Sequence, residues 1–176
     1  MIMNKIKRAI ALIMAAVMLM SITGCHKKIE KIDEEDVIAA LEDVLGLEEG
    51  EDSDDETEHY TVVRNSTGRD CSIVVNVDRE DGSYDISYII YEDEDFAQRH
   101  FEYYYEYYTD PAIYREFDYL IDYKDGEWGY IVKDLDGVLL AVYYVDDMMI
   151  TVDSRSENNN EKVKVFLSEL GLPLLE

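Results

Sequence analysis

The feature that most constrains this chain is a series of very short, turn-forming breaks between runs rich in Val, Ile and Tyr. Asn65-Ser66-Thr67-Gly68 separates His59 to Arg64 from Cys71 to Val77, and Asp81-Gly82 leads into Tyr84 to Tyr91. Further along, Asp125-Gly126 divides Asp118 to Tyr123 from Trp128 to Lys133. Asp136-Gly137 opens Val138 to Val145, and Asp146-Asp147 turns into Met148 to Val152. Such residues favour tight turns, and connections this short join antiparallel neighbours, because a parallel crossover needs a dozen residues or more. Within Tyr84 to Tyr91, Tyr84, Ile86, Tyr88 and Ile90 share one face, as a strand with a buried side requires.

Three helices frame these strands. Glu34 to Leu45 carries Val37, Ala40, Leu41 and Val44 at helical spacing, with Asp33 placed to cap it and Gly46 to stop it. A middle helix starts at Asp93 and continues through Tyr108. The last helix lines Val163, Phe166, Leu167 and Leu170 on one side, then meets Gly171 and Pro173. The expected architecture is α+β, in the order α-βββ-α-ββββ-α, with an antiparallel sheet of about six to seven strands.

The first 32 residues read differently. Lys5, Lys7 and Arg8 precede an apolar run from Ala9 to Met20, shorter than the roughly 20 residues a membrane span requires. Ile22-Thr23-Gly24-Cys25 follows, and these four residues resemble the lipobox of bacterial lipoproteins. The resemblance implies cleavage before Cys25, a lipid thioether on its sulfur, acylation of the new N-terminus, and a place on the extracytoplasmic face of the bacterial cell membrane. More than one acyl chain gives stable anchoring where one is marginal. Residues 1–24 are thus expected to be a signal peptide. Residues 25–32, with Lys27, Lys28 and Lys31, are expected to be a lipidated, basic tether, and 33–176 a single acidic domain. Cleavage removes three cations and no acids, taking the formal charge from −25 to −28.

The likeness extends further, through Tyr91-Glu92-Asp93-Glu94-Asp95-Phe96-Ala97, the late hairpin Tyr144 to Ile150, and the ending Leu170-Gly171-Leu172. Together these resemble small uncharacterised lipoproteins of Gram-positive anaerobic bacteria. That resemblance implies no particular activity.

Charge and motif content narrow the function. With 41 acidic residues against 16 Lys and Arg, nucleic acid is excluded as a partner, since phosphate binding needs clustered cations. Three His and two Cys leave little for a metal or disulfide framework. With Cys25 lipidated, Cys71 remains alone on an alternating apolar face and reads as core. The acidic tract Glu48 to Glu58 has Asp52, Asp54 and Glu56 in alternation, but Thr57 stands where a calcium loop needs Gly, so it reads as a solvated linker. No nucleotide, nucleophile or metalloprotease motif occurs, and no cofactor is expected.

The middle helix holds the candidate site. Ala97, Phe101, Tyr104, Tyr105 and Tyr108 form the stripe expected to face the sheet. Phe96, His100, Tyr103 and Tyr107 form an adjoining one. An apolar arc this broad either buries a second surface, for which Pro111 to Phe117 is available, or displays one. Tyr103, Tyr107 and His100 are therefore the candidate ligand-binding residues, for a cell-wall fragment, a carbohydrate or a protein. The expected role is a non-catalytic binding domain. The alternatives are a carboxylate-dependent hydrolase of wall polymers, marked by two converging acids in a pocket, and a structural spacer or assembly component.

Overall fold

The computed structural model describes residues 28–50, 58–79, 82–110, 120–135 and 137–175. The signal-peptide reading, Cys25, most of the acidic tract and the Pro111 to Phe117 segment lie outside these residues.

The described residues are α+β, built on one mixed sheet of eight strands with three helices. In chain order the elements are α1 (Glu34–Ala40, continuing through a wider π-helical turn, Leu41–Leu45), β1 (Glu48–Glu49), β2 (His59–Ser66), β3 (Arg69–Arg79) and β4 (Gly82–Tyr91). Then follow α2 (Glu94–Thr109), β5 (Leu120–Lys124), β6 (Trp128–Leu135), β7 (Val138–Val145), β8 (Met148–Ser154) and α3 (Glu157–Glu169). The sheet order is β1-β2-β3-β4-β8-β7-β6-β5. Every neighbouring pair is antiparallel except β1 with β2. Seven strands follow from the turn residues. The eighth, β1, corrects the expected count of six to seven: it is two exposed glutamates held by backbone pairing, with Gly50 N–H donating to Tyr60 C=O at 3.0 Å. No side-chain pattern marks such a strand. It also places Glu48 and Glu49 in the sheet, where a solvated linker was expected.

Period-two alternation divides the core between the two faces of the sheet. On one face Tyr60, Ile73, Val75, Ile86, Tyr88, Val132, Tyr143, Ile150 and Val152 pack under α1 and α3, which contribute Val37, Leu41, Val163, Phe166 and Leu167. On the other face Ile89, Tyr91, Ile131, Val142, Tyr144 and Met149 pack under Ala97 and Phe101 of α2. The result is three layers. Both outer helices of the first face stop at a glycine in the left-handed region, Gly46 and Gly171, each at φ 71°. Asp33 precedes α1 but offers its carbonyl rather than its carboxylate, accepting from Val37 N–H at 3.2 Å.

Buried tyrosines tie this sheet to the chain segments around it. Tyr88 donates to the carbonyl of Ile32 at 2.9 Å, Tyr143 to that of Pro173 at 2.8 Å, and Tyr60 to Glu42 at 2.8 Å. The ring fills the core and the hydroxyl satisfies a polar group at its edge. Residues 28–32, read from the sequence as tether, are part of this packing. Ile29 is 3% exposed and Ile32 9%, and Ile32 N–H reaches the Met148 sulfur at 3.3 Å. Lys31 meets Asp147 at 2.8 Å, so its charge is matched within the fold.

Candidate functional site

α2 begins where β4 ends. The Asp93 carboxylate caps it, accepting from Asp95 N–H at 2.9 Å, and Glu94 and Asp95 sit at its positive end. Its inner stripe lies as helical spacing requires. Ala97 and Phe101 are buried, and Tyr104, Tyr105 and Tyr108 pack half-buried against the same cluster. Phe101 stacks on Tyr144 with ring centroids 5.4 Å apart, and the Tyr105 hydroxyl bonds to Asp122.

The adjoining stripe remains largely in solvent. Phe96 is 50% exposed, Tyr103 63% and Tyr107 42%. Tyr103 and Tyr107, one helical turn apart, lie nearly parallel, with ring planes 13° apart and centroids separated by 6.5 Å. Arg99 stands over the Phe96 ring at 5.6 Å. Glu102 and Glu106 border the row on its solvent side.

His100 separates from this pair. It turns inward, half-buried, and its Nδ1 shares a 2.6 Å hydrogen bond with the Tyr91 hydroxyl. Its ring lies 5.2 Å from that of Tyr104. Burial, and then the nearby Arg69, hold the imidazole below its ordinary pKa, while burial pushes the Tyr91 phenol up to about 12. Both groups are therefore neutral at pH 7, and His100 joins α2 to the sheet. A histidine whose folded pKa is lowered stabilises the fold fully above its unfolded pKa of about 6.5 and loses that contribution as pH falls toward the folded value. Acidification from pH 7 to 5 is thus expected to lower the stability of the native chain relative to His100→Gln. Parallel urea titrations at several pH values would show the difference, and a gap that does not change with pH would refute it.

The chain matches no protein family, no curated protein and no solved structure. The geometry alone therefore ranks the remaining groups. Cys71 is buried, and its thiol is pushed up to about 11 by burial and then by Glu34, which keeps it an unreactive core residue. Among the described residues no three His, Cys, Asp or Glu side chains gather to hold a metal ion. Asp85 and Asp153 face each other across β4 and β8, and desolvation first, Asp153 second, raise the Asp85 pKa. Arg155, however, grips Asp153 through two hydrogen bonds of 2.9 and 2.7 Å.

Two clefts went unnoticed in the sequence. One, of about 570 Å³, runs between residues 28–32, α1 and the turn at Glu169–Leu172. The other, of about 260 Å³, lies between Lys28–Lys31 and Glu127, Val145 and Asp146. Neither contains Asp85 or Asp153. The only sequence signal for them is the Ile29/Ile32 spacing, which places two apolar side chains inside an otherwise charged segment.

Proposed function

We propose that this chain is a lipid-anchored extracytoplasmic binding protein of a bacterial cell, held to the membrane through Cys25 and making its contact through the outer face of α2. The observation that carries the binding role is the exposed Phe96, Tyr103 and Tyr107 row on a helix whose other aromatic stripe is already committed to the core. Exposed parallel tyrosines offer flat apolar area with little rotamer freedom to lose, and that suits a sugar ring or a partner side chain. A hydrolase would need two convergent carboxylates in a cleft. The described Asp85–Asp153 pair is tied down by Arg155 and lines neither cleft, so binding is the better supported reading. Among the described residues no helix is long and apolar enough to cross a membrane; the anchor is assigned to a lipid on Cys25 from Ile22-Thr23-Gly24-Cys25 alone.

Two measurements test the two halves of the proposal. Cys25→Ala should move the protein from the membrane fraction to the soluble one, and a variant that stays with the membrane refutes the anchor. Thermal unfolding of that soluble variant, against wall fragments, oligosaccharides and peptides, tests the face. A ligand present at 100 times its Kd and bound only to the native state adds about 2.7 kcal/mol. The gain should vanish in Tyr103→Ala/Tyr107→Ala, whose unliganded stability should fall by about 1 kcal/mol, because Tyr103 is 63% exposed and Tyr107, 42% exposed, packs its ring on Tyr108. A gain that survives both substitutions places the site elsewhere.

A further inference from the structure

We infer that one pole of the domain is apposed to the bilayer and that the tyrosine row of α2 stands off from it on the flank of the sheet, with Tyr107 farther out than Tyr103. This rests on the anchoring reading above. Ile29 is fixed in the core, and the four residues from Cys25 to Ile29 span at most about 14 Å. A lipid on Cys25 therefore leaves no long leash. The pole it reaches is the one where Lys31 meets Asp147 and where Lys28–Lys31 lie against Glu127, Val145 and Asp146.

α2 starts at this same pole and runs away from it. Tyr91 N–H donates to the carbonyl of Asp147 at 2.9 Å, three residues before Glu94 opens the helix. From there the helix advances along β6: Gln98 approaches Gly126, Phe101 covers Gly129, and Tyr105 bonds to Asp122, the partner of Ile131. Tyr108 lies in the neighbourhood of Arg155, which stands just past the far end of β8. At 1.5 Å per residue, Tyr103 and Tyr107 stand about 14 and 20 Å beyond Glu94 along the helix axis.

Charges of both signs meet at the proximal pole: Glu30, Asp125, Glu127, Asp146 and Asp147 stand with Lys28, Lys31, Arg69 and Lys124, and Lys31 is paired with Asp147.

Trp128, the single tryptophan, opens β6 beside Glu127 and is a native probe of the proximal pole. The lipidated full chain would be reconstituted in vesicles of phosphatidylcholine and phosphatidylglycerol doped with a dansyl-headgroup lipid. Energy transfer from Trp128 should exceed, several-fold, that from Trp128→Phe/Tyr107→Trp. If Trp128→Phe fails to fold, a dye on the Tyr107→Cys thiol in a Cys71→Ser background reads the tyrosine row instead. Equal or reversed transfer, with binding still dependent on Cys25, overturns the pole assignment and leaves the anchor standing. If Cys25→Ala binds the vesicles and gives the wild-type transfer, the anchor falls and the inference with it.

Discussion

Phe101→Ala is expected to destabilise the fold by about 3–5 kcal/mol, a large share of the roughly 5–15 kcal/mol that holds a domain together. Phe101 is 1% exposed and stacks on Tyr144, and its ring lies over a glycine chosen for closeness. A Cβ at Gly129 would stand 2.7 Å from the Phe101 ring and 2.8 Å from the carbonyl oxygen of Tyr123. Truncating the ring therefore empties the centre of the α2 layer, where the backbone cannot follow it inward. Urea denaturation with an unchanged m-value is the check, and a loss below 1 kcal/mol would mean that α2 is only loosely applied to the sheet. Gly129→Ala should cost about 1–3 kcal/mol from overpacking. Combined with Phe101→Ala it should cost less than the sum, since one of its two clashes disappears while the Tyr123 carbonyl remains.

The second large effect concerns the segment that leads into α1. Ile29→Ala and Ile32→Ala should each cost about 2–5 kcal/mol, because both side chains are in the core and the backbone of Ile32 accepts from the Tyr88 hydroxyl and donates to the Met148 sulfur. A free tether would respond quite differently, with changes inside about 0.5 kcal/mol. Tyr88→Phe, which removes only the hydroxyl bonded to Ile32, should cost about 1 kcal/mol. Denaturation curves of the three variants separate a docked segment from a spacer. Full stability in both isoleucine variants would return residues 28–32 to the role of a leash.

The parts of this fold that follow local rules could be read from the chain. Strand breaks at Gly68, Gly82, Gly126 and Gly137 depend on backbone freedom at single residues, and each has positive φ in the structure. The inner stripe of α2 follows from a 3.6-residue period, so Ala97, Phe101, Tyr104, Tyr105 and Tyr108 were placed correctly. What local rules could not supply depends on distant partners. Ile32 finds Tyr88 and Met148 at separations of 56 and 116 residues, and nothing near Ile32 announces either one. β1 exists only because the edge of β2 offers it backbone groups. The site was legible in the same limited way. Spacing put His100 beside Tyr103 and Tyr107 in one stripe, but the inward turn of His100 is set by the Tyr91 hydroxyl on another element.

The seam between β4 and β8 divides the sheet in two: β2-β3-β4 and β5-β6-β7-β8 are meanders joined by short turns, and β1 adds in parallel to the edge of the first. Its partners, from Ile90 with Met148 to Tyr84 with Ser154, are 58 to 70 residues apart in the chain. Hairpins on either side can form in microseconds, whereas closing this seam must order the loop between them first. Folding therefore waits on one long-range zipper. Substitutions at Ile86, Tyr88, Ile150 or Val152 are expected to slow refolding, and those in the outer strands mainly to speed unfolding, which stopped-flow denaturant jumps would check. During that waiting time the chain would exist as two half-sheets with exposed apolar edges, and its formal charge of −25 opposes the pairing of such halves with those of neighbouring chains.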